Sequence, residues 1–186
     1  MLPMSRPAPQ APRRPDLAFT FSHPAHALAL GMGSGLAPKA PGTAGTLFAW
    51  ASWLLLASWL PAQALWWLLL LAIPLGWWAC TVTARHMGVQ DPGSIVWDEV
   101  AAFWLLLQVL MLQLPLPLLS GSALLWQLLA FVLFRFFDAA KPQPVRWADQ
   151  AFKGWGWRGG WGIMFDDLVA ALCSAIVLSG LLWLLR

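Results

Sequence analysis

Five apolar runs constrain this chain more than any other feature: residues 46–60, 64–81, 100–119, 123–137 and 168–185, among which Arg135 is the one charged side chain. Runs of this length predict helices rather than strands. Crossing a bilayer takes about 20 apolar residues, with a usual range of ~17–25. The first and fourth runs fall short of that, so they are expected to tilt little, thin the bilayer or insert only part-way. The expectation is an all-α, multi-helical integral membrane domain with four to six membrane helices. Composition agrees: 60% of residues are hydrophobic and 10% charged, where soluble domains carry about 25% charged residues. That argues against a soluble enzyme and excludes a disordered or nucleic-acid-coating chain. Fifteen Trp and no Tyr fit a preference for the membrane–water boundary. Cys80 and Cys173 lie in apolar runs, form no CxxC pair and suggest neither zinc nor a disulfide.

The connections give a topology. Residues 61–63 and 120–122 are short, uncharged links, so two helical hairpins are expected. Their outer ends, the loop 82–99 and the long loop 138–167 then fall on one side. Residues 1–16, with five prolines and Arg6, Arg13 and Arg14, are expected to form a disordered basic tail on that side. No apolar run of signal-peptide type follows these arginines directly. Residues 17–186 are expected to form one membrane domain. Of the eleven Lys and Arg, only Arg186 falls on the other face. Under the positive-inside rule the loaded face is cytoplasmic. The net charge of +3 reports that orientation rather than a nucleic-acid partner.

The eight acids stand out in so apolar a chain, and seven of them lie between Asp91 and Asp167. They form three clusters on the loaded face. Asp98 and Glu99 open the third run, Asp138 closes the fourth, and Asp166 and Asp167 open the fifth. One acid at a helix start complements the helix dipole by about 0.3–1 kcal/mol. A cap needs one acid, not two, and charge near lipid is costly. Carboxylates from several helices suit a hard cation such as Mg²⁺, which takes oxygen ligands and often a phosphate. Asp98, Glu99, Asp138, Asp166 and Asp167 are therefore the candidate metal-ligating and catalytic residues. Neighbours on a helix project roughly 100° apart, so one acid of each pair is expected at the ion and the other in support. Asp149 reads as a solvated loop residue.

Arg135 lies one turn before Asp138, and Lys141 three residues after it. Each is a candidate either for pairing with the acid or for holding a phosphoryl oxygen. Arg146, Lys153 and Arg158 read as exposed cations attracted to headgroups. Residues 31–35 and 41–46 are Gly-rich, and the second stretch contributes Thr43 and Thr46 as candidate substrate-binding residues. Glycine lets backbone approach a ligand or another helix, although turns are the plainer reading of both stretches. Neither is a Walker loop. His23, His26 and His86 leave the C-terminal half without a histidine nucleophile. Cys80 and Arg85 are one residue too close for a Cys-x5-Arg loop. There is no Asp-x-Asp-x-Thr and no Gly-x-Ser-x-Gly.

At these residues the chain resembles the phosphatidylglycerophosphatase A family. The matching blocks are 29–36 with 41–47, then 91–99, 134–144, and 159–167 running into Leu168-Val169-Ala170. Ala101-Ala102 and Ala171 stand where the family pattern commonly has glycine, small-for-small changes that remove no chemistry. The resemblance implies a Mg²⁺-dependent lipid phosphatase of the bacterial inner membrane. It would convert phosphatidylglycerophosphate to phosphatidylglycerol and phosphate, at a site facing the cytoplasm. Water activated by a spare carboxylate and an Asp nucleophile both suit these residues. The rival from another class is a small ion or proton transporter, for which intramembrane acids are the usual mark.

Overall fold

The computed structural model describes residues 15–114 and 116–185. Most of the expected tail and Arg186 lie outside the described residues. Two short helices, α1 (Leu17–Phe21) and α2 (Pro24–Ala29), lead through a 3₁₀ segment (Gly31–Leu36) into the long helices. These are α3 (Pro41–Trp59), α4 (Ala62–Met87), α5 (Trp97–Gln113), α6 (Gly121–Ala140) and α8 (Gly156–Leu184), with the short α7 (Val145–Ala151) before the last. No strand occurs among the described residues. The all-α reading stands.

Several boundaries differ from those expected, each for a local reason. Helix α3 starts at Pro41 rather than residue 46 because Pro is pre-organised for the first helical position. The second Gly-rich stretch is thus the first turn of a helix and not a loop turn. Helix α5 stops at Gln113, ahead of Pro115, which disfavours helical backbone in the residue before it. Helix α6 has 20 residues and is not short; the Ser120 hydroxyl caps its start by accepting from the Ala123 N–H at 3.2 Å. The largest change is in α8, which begins at Gly156, twelve residues before the apolar run. Its early glycines are poor helix formers, but Gly160 lets α8 lie close against Thr81 of α4, and Gly159 and Gly162 let the 152–154 segment fold back on it. Asp166 and Asp167 are therefore interior to a 29-residue helix and do not open it. The cap reading fails for this pair.

Three helices, α4, α6 and α8, are long and apolar enough to cross a membrane, fewer than the four to six expected. The 17-residue α5 is the core instead: most of its side chains are buried, and its more open side runs through Asp98, Leu105, Val109 and the exposed Leu112. It packs against α3, α4, α6 and α8. The expected hairpins reverse direction as read, but α3 scarcely touches α4 and packs on α5, while α4 packs on α8 and α5.

This arrangement sets the acids at one level. From Asp167 to the end of α8 is 17 residues, and from the start of α6 to Asp138 is also 17. At 1.5 Å per residue both lengths are about 25 Å, close to the hydrocarbon thickness of a bilayer. Helix α5 starts at the same end, with Asp98 and Glu99 in its first turn.

The tryptophans divide into two groups. Trp59, Trp67 and Trp183 are exposed toward the end away from the acids, and Trp147, Trp155 and Trp157 toward the acid end, as aromatic belts require. The others work inside. The Trp104 indole N–H donates to Ala49 O (2.9 Å) and Ser52 Oγ (3.1 Å), Trp97 to Ala72 O (3.0 Å), and Trp50 to Gln127 Oε1 (2.7 Å). Each of these bonds joins two helices. Hydrogen bonds between membrane helices are worth about 0.6 kcal/mol on average and up to ~1.7. Trp104→Phe is therefore expected to destabilise the fold by about 1 kcal/mol, read as a drop of a few degrees in the midpoint of a thermal melt in detergent.

Candidate active site

Asp98 and Glu99 sit in the uncapped first turn of α5, whose start is held in place by the Val96 N–H donating to Ala29 O at 2.9 Å. Asp167 approaches from the interior of α8. One carboxylate oxygen from each of Asp98, Glu99 and Asp167 lies within 4.8 Å of the other two. Both members of the first pair thus reach one point, contrary to the expectation that a pair would divide; the longer Glu side chain covers the angular offset. Asp167 belongs to this group and Asp166 does not. Asp98 Oδ1, Glu99 Oε2 and Asp167 Oδ2 are buried with no hydrogen-bond partner among the described residues. Buried carboxylate oxygens are seldom left so, and three together repel one another. The donor set, all hard oxygen, fits a divalent cation.

Two cations flank the triad. The Arg135 guanidinium meets Asp138 Oδ2 at 2.5 Å, Glu99 Oε1 at 3.8 Å and the buried Thr46 hydroxyl at 3.4 Å. Lys141 does not pair with Asp138. Its ammonium lies between Asp149 of α7 and Asp166 of α8, the latter at 2.7 Å. Lys141 caps the C-terminus of α6 in left-handed backbone (φ 43°, ψ 53°), a position that usually takes Gly or Asn. Strain of this kind collects at functional sites. Burial works against the lysine's charge, yet Asp149 and Asp166 outweigh it and raise its pKa above the ordinary range. In return, and against the effect of its own burial, Asp149 is held below the usual carboxylate range by Lys141 and Lys153.

These groups line a single cavity of about 320 Å³. Asp91, Asp98, Glu99, Asp138, Asp149, Asp166 and Asp167 all face it, together with Lys141 and Lys153. Every acid of the chain except Asp16 therefore borders this one space. Arg135, Thr43 and Thr46 do not line it. Thr46 accepts from Arg135 and donates to Gly42 O (2.8 Å), so it supports the guanidinium. The Thr43 side chain makes no hydrogen bond among the described residues and does not line the cavity. The Gly-rich first turn of α3 serves close approach: a Cβ at Gly42 would strike Glu99 Oε1 and Arg135, and one at Gly45 would strike Val96. His23, His26 and His86 gather beside α2 and α4, away from the cavity, with His26 Nε2 2.8 Å from His86 Nδ1.

Reading the residues one by one missed Asp149, Lys153 and Asp91. Asp149 sits on a seven-residue helix too short and polar to stand out in the sequence. The available signal was its spacing of four from Lys153, an ordinary helical ion-pair distance.

The chain matches the family "Phosphatidylglycerophosphatase A" over residues 27–182. It belongs to that family. Among its relatives is the Escherichia coli phosphatidylglycerophosphatase A, 42% identical over 170 residues, covering 90% of each chain. The Haemophilus influenzae phosphatidylglycerophosphatase A is 40% identical over 168 residues, covering 90% of this chain and 94% of that one. A Bacteroides thetaiotaomicron protein, provisionally named a phosphatidylinositol-3-phosphatase, is 36% identical over 160 residues, covering 83% and 91%. No solved structure matches the chain. Ala101 and Ala102 of α5 and Ala171 of α8 are all buried.

Without a cation the triad strains the fold, because like charges buried together are unfavourable. Asp167→Asn is expected to raise the thermal midpoint by several degrees in chelator and to abolish the further rise that a divalent cation gives the unaltered protein. Melts with and without the cation read both effects.

Proposed function

We propose that this chain is a phosphatidylglycerophosphatase of the bacterial inner membrane, a single domain from residue 17 onward with its cavity at the cytoplasmic face. It removes the terminal phosphate of phosphatidylglycerophosphate, leaving phosphatidylglycerol and inorganic phosphate. Family membership supports the reaction. The observation that carries the mechanism is the buried triad Asp98, Glu99 and Asp167, whose inward oxygens have no partner. Orientation rests on the positive-inside rule.

Seven acids and two lysines line the cavity, so a phosphate dianion meets a strongly negative wall. We assign Mg²⁺ to the triad: Asp98, Glu99 and Asp167 would hold it, and it would supply positive charge to offset that of the phosphate. The remaining steps fall to the protein's own groups. Lys141, fixed by Asp149 and Asp166, has one of its three N–H donors left for a phosphoryl oxygen. Arg135 faces Glu99 and Asp138 and orients them. Water attacks phosphorus as a carboxylate outside the triad, Asp138 or Asp166, takes its proton. The bond from phosphorus to the glycerol oxygen breaks, and the carboxyl that took the water's proton passes it to that oxygen, which leaves as the alcohol. The acyl chains lie along the apolar surface of the spanning helices.

The acids border one cavity at one level and do not succeed one another through the bilayer, which favours this reading over an ion pathway. In purified protein, phosphate release from phosphatidylglycerophosphate is expected to require Mg²⁺ and to stop with chelator. Asp98→Asn, Asp138→Asn and Asp167→Asn should each lower turnover by about two orders of magnitude or more, while the protein still inserts. Near-normal turnover in all three would remove the metal site.

A further inference from the structure

The cavity has two cationic side chains, and they differ in a way that the reaction at its floor does not explain. Lys141 is one-third exposed (33%) and lies between two carboxylates. Lys153 is 60% exposed and makes one ion pair, to Asp149 Oδ2 at 2.9 Å. An ammonium has three donors. Lys141 therefore keeps one and Lys153 two, the latter at the rim. Asp149 is shared, with one oxygen on each lysine, so a single carboxylate at 17% exposure fixes both ammoniums relative to each other.

The surroundings of Lys153 give its depth. It follows α7, and Trp147, Trp155 and Trp157 near it in sequence are all exposed. Phe152 meets Phe165 at 5.1 Å, and Trp147 meets Phe165 at 6.0 Å, which tie this rim to α8. Exposed indoles mark the polar–apolar boundary of a bilayer. The phosphodiester of a glycerophospholipid lies at that boundary. A headgroup bearing a further phosphate monoester holds it one glycerol length from that diester, so the two phosphates can meet two separate positions in one cavity.

We infer that Lys153, held by Asp149, is a specificity-determining residue that takes the diester phosphate of the substrate while the terminal phosphate occupies the floor. This rests on the phosphatase reading above. Two anionic groups joined by a three-carbon spacer then meet two cationic positions, the triad with its cation and the rim lysine. A lipid with one phosphate attached directly to diacylglycerol carries its monoester at the rim and does not reach the floor. Asp149 acts through Lys153 and is a positioning residue.

The test is steady-state phosphate release from phosphatidylglycerophosphate in mixed micelles, with inorganic phosphate as a competing ligand that reports the floor alone. Lys153→Met is expected to raise KM for the lipid about tenfold, to change kcat much less, and to leave the inhibition constant of inorganic phosphate where it was. Lys153→Arg should restore KM. An unchanged KM overturns the assignment, as does an inhibition constant that rises in step with KM, since Lys153 would then act on the floor. Unaltered protein that releases no phosphate overturns the phosphatase reading and this assignment with it, whereas an active unaltered protein with either of the preceding results overturns the assignment alone.

Discussion

Three carboxylates brought together inside a helical bundle repel one another, and the rest of the structure is arranged around that repulsion. Charges in an apolar protein are tolerated where other charges or donors meet them. Here each acid outside the triad has a cation or an exposed position. Asp138 has Arg135, Asp149 and Asp166 share Lys141, and Asp91 lies at the surface. Among the described residues the triad has one distant cation, Arg135 at 3.8 Å from Glu99 Oε1, and one oxygen of each of its carboxylates has no partner. Three buried oxygens without a partner, beside acids that are each matched, make the triad a candidate cation site. That imbalance, more than the number of acids, distinguishes a binding site from a set of helix caps.

The helices are built to deliver this arrangement. Helix α5 carries two of the three carboxylates, buries most of its side chains and has its start held by the Val96–Ala29 backbone bond. Helix α8 supplies the third from its interior, where backbone hydrogen bonds on both sides of Asp167 fix the direction of the side chain. The close first turn of α3, possible because Gly42 and Gly45 lack a Cβ, brings that helix against Val96, Glu99 and Arg135. Indole N–H groups tie α3 to α5 and to α6, and α5 to α4. Apolar packing alone specifies helix position loosely in a lipid environment, where association gains little from the hydrophobic effect.

Much of this was legible in the sequence. The five candidate acids and their convergence on one face followed from uncharged links between apolar runs, which force chain reversal. The family followed from the order of its motifs. What hydropathy did not reveal was the length of α8, because Gly156–Gly162 is neither apolar nor helix-favouring and becomes helical through contact with α4. The same blind spot hid α7. Pair geometry also misled: adjacent helix residues diverge, yet a Glu beside an Asp reaches the same point because its side chain is one carbon longer. Lys141 was identified, but its partners lie 8 and 25 residues away and follow only from the fold.

The Lys141–Asp166 pair joins residues 25 apart in sequence, across the whole connection between α6 and α8. The segment between them, with α7, forms a loop whose two ends are stapled together at the cavity. Closing such a loop costs entropy that grows only slowly with its length, and the staple keeps α7 beside the site. One ammonium thus serves as counter-charge for two carboxylates and as the clasp that shapes the cavity's rim. A single neutral substitution there takes the shared counter-charge from two carboxylates at once, while Phe152 and Trp147 still hold α7 against Phe165 of α8. The chemistry of the floor and the architecture of the mouth therefore share one residue.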